Sequence, residues 1–535
     1  MIQKLLVANR GEIALRVFRA CRELGIATVA VVAPDDKGSL HARSADETVD
    51  IQSYLFSEEH IRAAKQTGAD AVHPGYGFLA ENPDFAEAVN AAELVWVGPP
   101  ADALRAGGDK IEAKRIAQEA GVPVVPTGEP DEVGFPLVVK AAAGGGGRGM
   151  RVVRAPAELD DALAAARREA KAAFGDDRVF CERYVERPHH VEVQLLADGD
   201  IRALGERDCS IQRRHQKVLE EAPSPAIGDT LRRAIADAAV AFARAIGYEN
   251  AGTAEFMVDG DEFWFLELNG RIQVEHPVTE LVTGIDLVHA QLRIASGEAM
   301  SQGLSLRHGH AVEVRLYAED PVTFFPQTGR LERLRLPAGI RVDAGVAEGD
   351  EVGIAYDPMI AKLIAHGTTR TEALDRLRTA LAETEVEGVT TNLPFLRWLV
   401  AHPLVRAGET TTAFLTENPP LSPAPVRAAA PPWRTPFRLN LPSPAPAPPP
   451  DVRAAAAEQQ GTGGESRVVA PMPGTVIRLL VSAGEAVRAR QPLVVLEAMK
   501  METPLTSPYD ATVRAVHVAE GDRVAGGAVL VELEE

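Results

Sequence analysis

The sequence predicts an α/β multidomain protein that opens with a doubly wound domain and closes with a small all-β sandwich. Three observations carry this expectation: a β-α-β pattern between Lys4 and Val32, a Pro/Ala-rich break at 419–466, and an internal repeat beyond it. From Lys4 to Ala8 the residues are mostly apolar. A polar Asn9-Arg10-Gly11 break follows, helical periodicity runs to about Leu24, and Thr28 to Val32 is apolar again. Short apolar runs at Ala71 to Val72 and Leu94 to Val97, each soon ended by Gly or Pro, add strands to the same parallel sheet. Residues 1–108 thus form the doubly wound domain. Residues 109–321 hold a Gly-rich stretch and most of the chemically suggestive polar residues, and 322–418 read as mixed α+β.

The 419–466 tract, rich in Pro, Ala and Ser, cannot supply ladder hydrogen bonds and is read as an extended linker, with Trp433, Phe437 and Leu439 as candidates for a short docked strand. In 467–535, Thr475, Val476, Leu479, Val481, Gly484, Val487 and Leu493 recur 37 positions later as Thr512, Val513, Val516, Val518, Gly521, Val524 and Leu530. Such self-similarity predicts two matching β-motifs about a pseudo-two-fold axis. Between the halves lies Glu497-Ala498-Met499-Lys500-Met501-Glu502, which places Lys500 at an exposed hairpin turn.

A chain of 535 residues exceeds one core, so two to four domains are expected. No run of about 20 apolar residues is present to cross a bilayer. The opening MIQKLLVANRG lacks the features of an export signal, and Cys21, Cys181 and Cys209 match neither a disulfide framework nor a metal site, so a reducing cytoplasm is expected. The net charge of −20 argues against nucleic acid and requires that an anionic substrate meet a local basic pocket.

Pro136 to Lys140 reads as a strand, followed by AAAGGGGRGM and a second strand near Met150. Consecutive glycines let backbone N–H groups approach phosphate oxygens, with Lys140 and Arg148 supplying charge, although a glycine run can equally be a flexible surface loop. In TAEFMVDGDEFWFLELNGRIQVEH two strands flank an Asp-Gly turn. A three-residue Asp259 to Asp261 loop puts Glu255 diagonal to Glu267, and two such carboxylates suit Mg²⁺. Beyond Glu267 the polar Asn269, Arg271, Gln273 and Glu275 alternate with apolar or small residues, so an extended segment would face all of them one way. Gln212, His215 and Lys217 form a basic cluster that either contacts ribose, phosphates or a second anion, or is a basic surface loop.

Together the stretches NRGEIALR, HPGYGFLAEN, KAAAGGGGRGM, ERDCSIQRRHQKVLEEAP, LNGRIQVEHPVTE and VRLYAED resemble biotin carboxylase, an ATP-grasp enzyme, over about residues 1–418. APMPG and EAMKME resemble the biotin carboxyl carrier domain, a hammerhead-type biotinyl sandwich. The resemblance implies the N-terminal, ATP-grasp and C-terminal domains of biotin carboxylase, then a carrier domain with biotin covalently on Lys500. It implies ATP phosphates at Lys110, Lys140, Gly144, Gly145, Gly146 and Gly147. Adenine, ribose and nearby contacts fall to Glu182, Arg183, Val185, His190, Gln212 and His215.

Mg²⁺ or Mn²⁺ is implied at Glu255, Glu267 and Asn269, and bicarbonate among Lys217, Arg271, Gln273 and Val274. Glu275 is implied as the general base and Arg315 as the group that stabilises the biotin enolate. The implied activity is that of a ligase: bicarbonate is activated as carboxyphosphate and its CO₂ passed to biotin, as in the alpha subunit of an acetyl-CoA or propionyl-CoA carboxylase of fatty acid metabolism. The implied partners are a carboxyltransferase beta subunit, biotin protein ligase and a homo- or hetero-oligomer in which Arg16, Arg19 and Glu23 match dimer-interface positions. A tether of about 45 residues would reach roughly 40 Å between the two sites.

Three departures stand out. Ala143 replaces a fifth glycine, Arg183 a common lysine, and the docking domain of propionyl-CoA-type subunits has no counterpart in the Pro-rich tract. Two rival readings remain, a different ATP-grasp ligase and an inactive biotin carrier.

Overall fold

The computed structural model describes residues 1–142, 150–213, 216–299, 308–420, 467–498 and 501–534. The expected short strand around Trp433, Phe437 and Leu439 lies outside them. The first sheet has five parallel strands in the order Glu47–Asp50, Ala27–Val32, Lys4–Val7, Ala71–His73, Val95–Trp96. Glu47–Asp50 escapes a hydrophobicity search because it is an edge strand of sequence ETVD that buries only Val49. Helix Gly11–Leu24 follows the first strand and ends at Gly25, whose φ of 73° lets its N–H reach back to the Arg22 carbonyl and the Ile26 N–H to that of Cys21.

An eight-stranded antiparallel sheet organises the next two segments. Its order is Glu262–Asn269, Asn250–Asp259, His189–Ala197, Ile201–Arg213, Gln216–Ala222, His310–Tyr317, Met359–Gly367, Arg341–Ala344. Strand His310–Tyr317 pairs with Gln216–Ala222 on one side and Met359–Gly367 on the other, so segments 109–321 and 322–418 share one sheet. One face is apolar. Val191, Val193, Ala254 and Phe256 pack against Ile235 and Phe242 of helix Asp229–Ala245. Val312, Val314 and Leu363 pack against Leu374 and Leu377 of Arg370–Glu383 and Leu396 of Leu393–Ala401. By alternation the opposite face presents Glu192, Glu255, Glu313, Arg315 and Lys362, all buried.

A smaller sheet, Thr127–Gly128, Val179–Arg183, Leu137–Ala141, Arg151–Val153, packs on helix Leu159–Phe174. The glycine run joins its last two strands and lies outside the described residues.

The C-terminal segment forms two four-stranded sheets. One is Arg467–Val469, Val529–Glu534, Ala511–Val516, Ala486–Val487, and the other Met501–Thr506, Pro492–Ala498, Gly474–Leu479, Arg523–Val524. A shift of 37 residues carries Gly474–Leu479 onto Ala511–Val516 and Ala486–Val487 onto Arg523–Val524. Each strand therefore maps into the other sheet, as a pseudo-two-fold requires. The core pairs follow suit: Val476 with Val513, Val487 with Val524, Leu493 with Leu530. Ala498 pairs with Met501, so Met499 and Lys500 are the two intervening residues, and both lie outside the described residues.

All three cysteines are buried and free. Among the described residues no helix is long and apolar enough to cross a membrane.

Leu493 and Leu530 are both fully buried and equivalent under the repeat. Leu493→Ala and Leu530→Ala should each cost about 2–5 kcal/mol, read as accelerated hydrogen exchange confined to 467–535. A silent substitution at either position would break the equivalence.

Candidate functional site

Strands Asn250–Asp259 and Glu262–Asn269 form a hairpin closed by two residues, Gly260 and Asp261, not the three expected, since Asp259 pairs with Glu262. Gly260 has φ 59°, the left-handed conformation that tight hairpin turns use. The register then slips: Phe256 opposes Phe265 but Glu255 opposes Glu267, leaving Leu266 as a bulge. Without the bulge Glu255 would oppose Leu266, and Glu267 would point to the apolar face. The two carboxylates are therefore directly opposite rather than diagonal.

The extended segment expected through Glu275 ends at Asn269. Gly270 turns the chain away against helix Ala101–Gly108, where a Cβ would lie 2.5 Å from Leu104 Cδ2. Glu275 then sits in a turn, φ −81° and ψ 8°, just ahead of helix His276–Thr283. Its polar neighbours converge because the chain folds back over the charged face of the sheet. Gln273 Nε2 and Asn269 Nδ2 donate to Glu255 Oε1 at 2.8 and 2.9 Å. Arg271 Nη2 donates to Asn269 Oδ1 at 2.9 Å, and its Nε lies 3.1 Å from Glu81.

Lys217 is the hub. Its ammonium donates to Glu192 Oε2 at 2.5 Å, Glu275 Oε1 at 2.7 Å and Glu255 Oε1 at 2.9 Å. Burial disfavours its charge, yet the three carboxylates outweigh burial and hold Lys217 well above its ordinary pKa. Burial likewise pushes the Glu275 carboxyl up, but Lys217, Arg315 and Arg207 prevail and hold it well below the carboxylate range. Burial pushes Glu255 up as well, and Lys217 and His190 overcome it. His190 Nε2 lies 2.9 Å from Glu255 Oε2. Arg315 Nη2 reaches Glu275 Oε2 at 3.0 Å and Glu220 Oε1 at 2.5 Å. The Val274 carbonyl accepts from Lys362 Nζ at 2.8 Å.

Toward the small sheet, Lys110 Nζ lies 3.1 Å from Glu267 Oε2. Glu182, fully buried, is ion-paired with both Lys140 and Lys114. Arg183 is exposed and Val185 half-buried in the loop that follows. Gln212 donates to the Cys209 carbonyl at 2.9 Å rather than to any of these groups. Gly144 to Gly147, His215 and Lys500 lie outside the described residues.

Several groups of the site were not foreseen. Glu192 was legible in HVEVQLLA, where His190, Glu192 and Gln194 alternate with apolar residues. Arg207 had no sequence signal. It is fully buried and donates to Glu192 Oε1 at 2.5 Å, Gln194 Oε1 and Thr279 Oγ1 at 2.8 Å, Gln273 Oε1 at 3.1 Å and Thr253 Oγ1 at 3.2 Å. Tyr76 of HPGYGFLAEN donates to Glu12, which lies 3.1 Å from Lys362. Of the three residues matched to an interface, Arg16 is buried, because Glu280 at 2.9 Å and Asp286 at 2.7 Å neutralise it within the chain. Arg19 and Glu23 are exposed.

Glu255 and Glu267 form an oxygen-only pair, each already against a cation, Lys217 and Lys110 respectively. That donor set fits a hard divalent ion shared with phosphate.

Four family models cover the chain: biotin carboxylase N-terminal domain at 1–104, carbamoyl-phosphate synthase L chain ATP binding domain at 109–303, biotin carboxylase C-terminal domain at 313–417 and biotin-requiring enzyme at 466–533. The propionyl-CoA carboxylase alpha chain of Ruegeria pomeroyi is 48% identical over 466 residues, 78% of this chain and 68% of that one. Biotin carboxylase of Halalkalibacterium halodurans is 48% identical over 443 residues, 78% of this chain and 98% of that one. Among solved structures, the biotin carboxylase domain dimer of Hydrogenobacter thermophilus 2-oxoglutarate carboxylase, with MgADP, ADP and bicarbonate, superposes with a TM-score of 0.77 at 43% identity, covering 78% of this chain and 98% of that one. The chain belongs to the biotin carboxylase family, as a fusion with a biotinyl domain of the biotin-dependent carboxylase alpha-subunit type. It is an ATP-grasp ligase that uses ATP, Mg²⁺ and biotin.

Arg207→Met would leave Glu192 buried with only Lys217 and strip a donor from four further accepting side chains, Gln194, Thr253, Gln273 and Thr279. A loss of about 3–5 kcal/mol is expected, seen as a lower thermal midpoint. An unchanged midpoint would show that the network does not hold the sheet's charged face together.

Proposed function

We propose that this chain is the alpha subunit of an acyl-CoA carboxylase of the acetyl-CoA or propionyl-CoA type. It carboxylates biotin borne on Lys500, and a separate carboxyltransferase beta subunit passes the carboxyl group to the acyl-CoA. The observation that carries the reading is a buried Glu275 held between Lys217 and Arg315 on a chain with its own biotinyl module. The propionyl-CoA carboxylase relative supports the acyl-CoA acceptor. The 2-oxoglutarate carboxylase neighbour has the same catalytic half and an unlike acceptor, so acceptor choice rests with the partner.

In this reading Lys110, Lys140 and the glycines 144–147 hold the ATP phosphates. Glu182, Arg183, Val185, His190, Gln212 and His215 surround adenine and ribose. Glu255, Glu267 and Asn269 hold Mg²⁺, which when bound offsets the charge on the phosphates. Lys217, Arg271, Gln273 and the Val274 backbone fix bicarbonate. Glu275 takes the bicarbonate proton, freeing an oxygen to attack the γ-phosphorus of ATP, with ADP as the leaving group. Carboxyphosphate then splits into CO₂ and phosphate, the phosphate takes the N1′ proton of biotin, and Arg315 faces the resulting ureido anion as its nitrogen attacks CO₂, biotin being a substrate of this half-reaction. The three lysines and Arg315 supply the basic pocket that a chain of net charge −20 needs to hold anionic substrates. Biotin protein ligase loads Lys500, and the setting is cytoplasmic, in acyl chain metabolism including fatty acid biosynthesis.

Glu275→Gln should lower bicarbonate-dependent ATP cleavage by about a hundredfold or more; turnover near that of the parent would remove Glu275 from the role. The acceptor is tested by purifying the chain with its native partner and supplying labelled bicarbonate with acetyl-CoA, propionyl-CoA, longer or branched acyl-CoA and keto acids. Lys500→Arg serves as the control that abolishes transfer. Labelling of a keto acid alone would overturn the acyl-CoA reading.

A further inference from the structure

Behind Arg315 lie two carboxyl groups that the scheme above does not use. Glu220 on Gln216–Ala222 and Glu313 on His310–Tyr317 are register partners, so their side chains leave the same face of adjacent strands. Both are completely buried. Among the described residues, neither oxygen of Glu313 has a hydrogen-bond partner. Glu220 has one strong contact, 2.5 Å from Arg315 Nη2, the nitrogen that also serves Glu275 at 3.0 Å.

Two fully buried carboxylates on one face of adjacent strands cannot both stay ionised at modest cost, because their repulsion adds to the penalty of burying each charge. The charged groups around them set which one ionises. Glu220 is faced by Arg315, Glu275, Lys217, Cys209 and Glu313, and Glu313 by Lys362, Glu220, Arg315 and Glu275. Helix His276–Thr283, packed on both strands, adds His276 and Glu280, and the latter is engaged with Arg16 and Arg341. Helices Arg370–Glu383 and Leu393–Ala401 pack on the other face. Lys362 is committed to the Val274 carbonyl and Glu12, which leaves Glu313 without a direct cation among the described residues, whereas Glu220 has Arg315.

We propose that Glu220 and Glu313 hold one proton between them, on Glu313, and that the single remaining charge on Glu220 positions the Arg315 guanidinium for the biotin half-reaction. When Glu275 accepts a proton it ceases to anchor Arg315. Glu220 then keeps the guanidinium in place, beside Tyr317 of the same strand, whose hydroxyl also meets Arg315. Burial pushes Glu220 up to about 7, despite Arg315, and pushes Glu313 well above the carboxylate range.

The positioning role rests on the placement of Arg315 in the reaction, whereas the shared proton can be read without turnover. Infrared difference spectra of the full chain in H₂O and D₂O near pH 7 should contain the C=O stretch of a protonated, solvent-shielded carboxyl, absent from Glu313→Gln. A parent spectrum without that band overturns the shared proton whatever Arg315 does.

Glu220→Gln should lower kcat for free-biotin carboxylation about tenfold, the scale of one lost charge-assisted hydrogen bond. It should also remove an ionisation near neutrality from the kcat profile, while KM for ATP stays at the parent value. A mere packing defect would leave the pH profile in place. With the band present, a parent-like profile in Glu220→Gln overturns the positioning role and leaves the reading of Glu275 untouched.

Discussion

Neutrality of one face of the eight-stranded sheet is the constraint on which the rest depends. Glu267, Glu255, Glu192 and Arg207 are successive register partners on adjacent strands. Farther along, Glu220 opposes Glu313, and Arg315, Lys362 and Asp343 follow in turn. Burying so many ionisable groups is tolerable only where each charge finds a partner of opposite sign and a carboxyl without one, Glu313, is kept neutral by a proton. Lys217, reaching three carboxylates at once, and Arg207, with five acceptors, knit the face together. The opposite face is an ordinary apolar core against helices, so strand alternation alone separates the stabilising side of the sheet from the chemical side.

That constraint also explains how the first domain is attached. Lys362 in the row reaches Glu12 on the first helix and the Val274 carbonyl beside Glu275, and Glu12 in turn accepts from Tyr76. At Gly345 a Cβ would lie 2.9 Å from the Glu12 backbone nitrogen, so the third segment meets this helix at backbone contact. Arg16 on the same helix is buried against Glu280 and Asp286. The doubly wound domain is thus bound to the sheet by ion pairs aimed at the segment that carries Glu275.

Four of the five strands of the first sheet and the sandwich were legible because each depends on a local pattern, apolar runs or a repeat of fixed period, whereas the edge strand Glu47–Asp50 has none. Glu255, Glu267 and Glu275 were legible as a group because acid, amide and guanidinium side chains recur at short intervals. Their geometry was not. The bulge at Leu266 follows from how two strands pair, and the exit at Gly270 from how closely Leu104 approaches. Both are tertiary facts invisible to spacing. Arg207 and Glu220 escaped for a related reason, since in GERDCS and VLEEAP nothing local distinguishes a fully buried charge from a solvated one. Their burial is set by strands far away in sequence.

The ion-pair row also bears on the base role proposed for Glu275. With Lys217, Arg315 and Arg207 around it the carboxylate is far less basic than a free one, and in that state it would hold a proton poorly. Each of its partners is itself shared: Lys217 with Glu192 and Glu255, Arg315 with Glu220, Arg207 with Glu192. An anion entering the site therefore need not create a cationic pocket, only compete for one already paired internally. Every interaction that Lys217 or Arg315 transfers to an incoming anion is one withdrawn from Glu275, which raises its affinity for a proton as the substrate binds. In the proposed scheme basicity is thereby coupled to substrate binding, and the same lattice that keeps the face neutral would make Glu275 competent once its substrate is held.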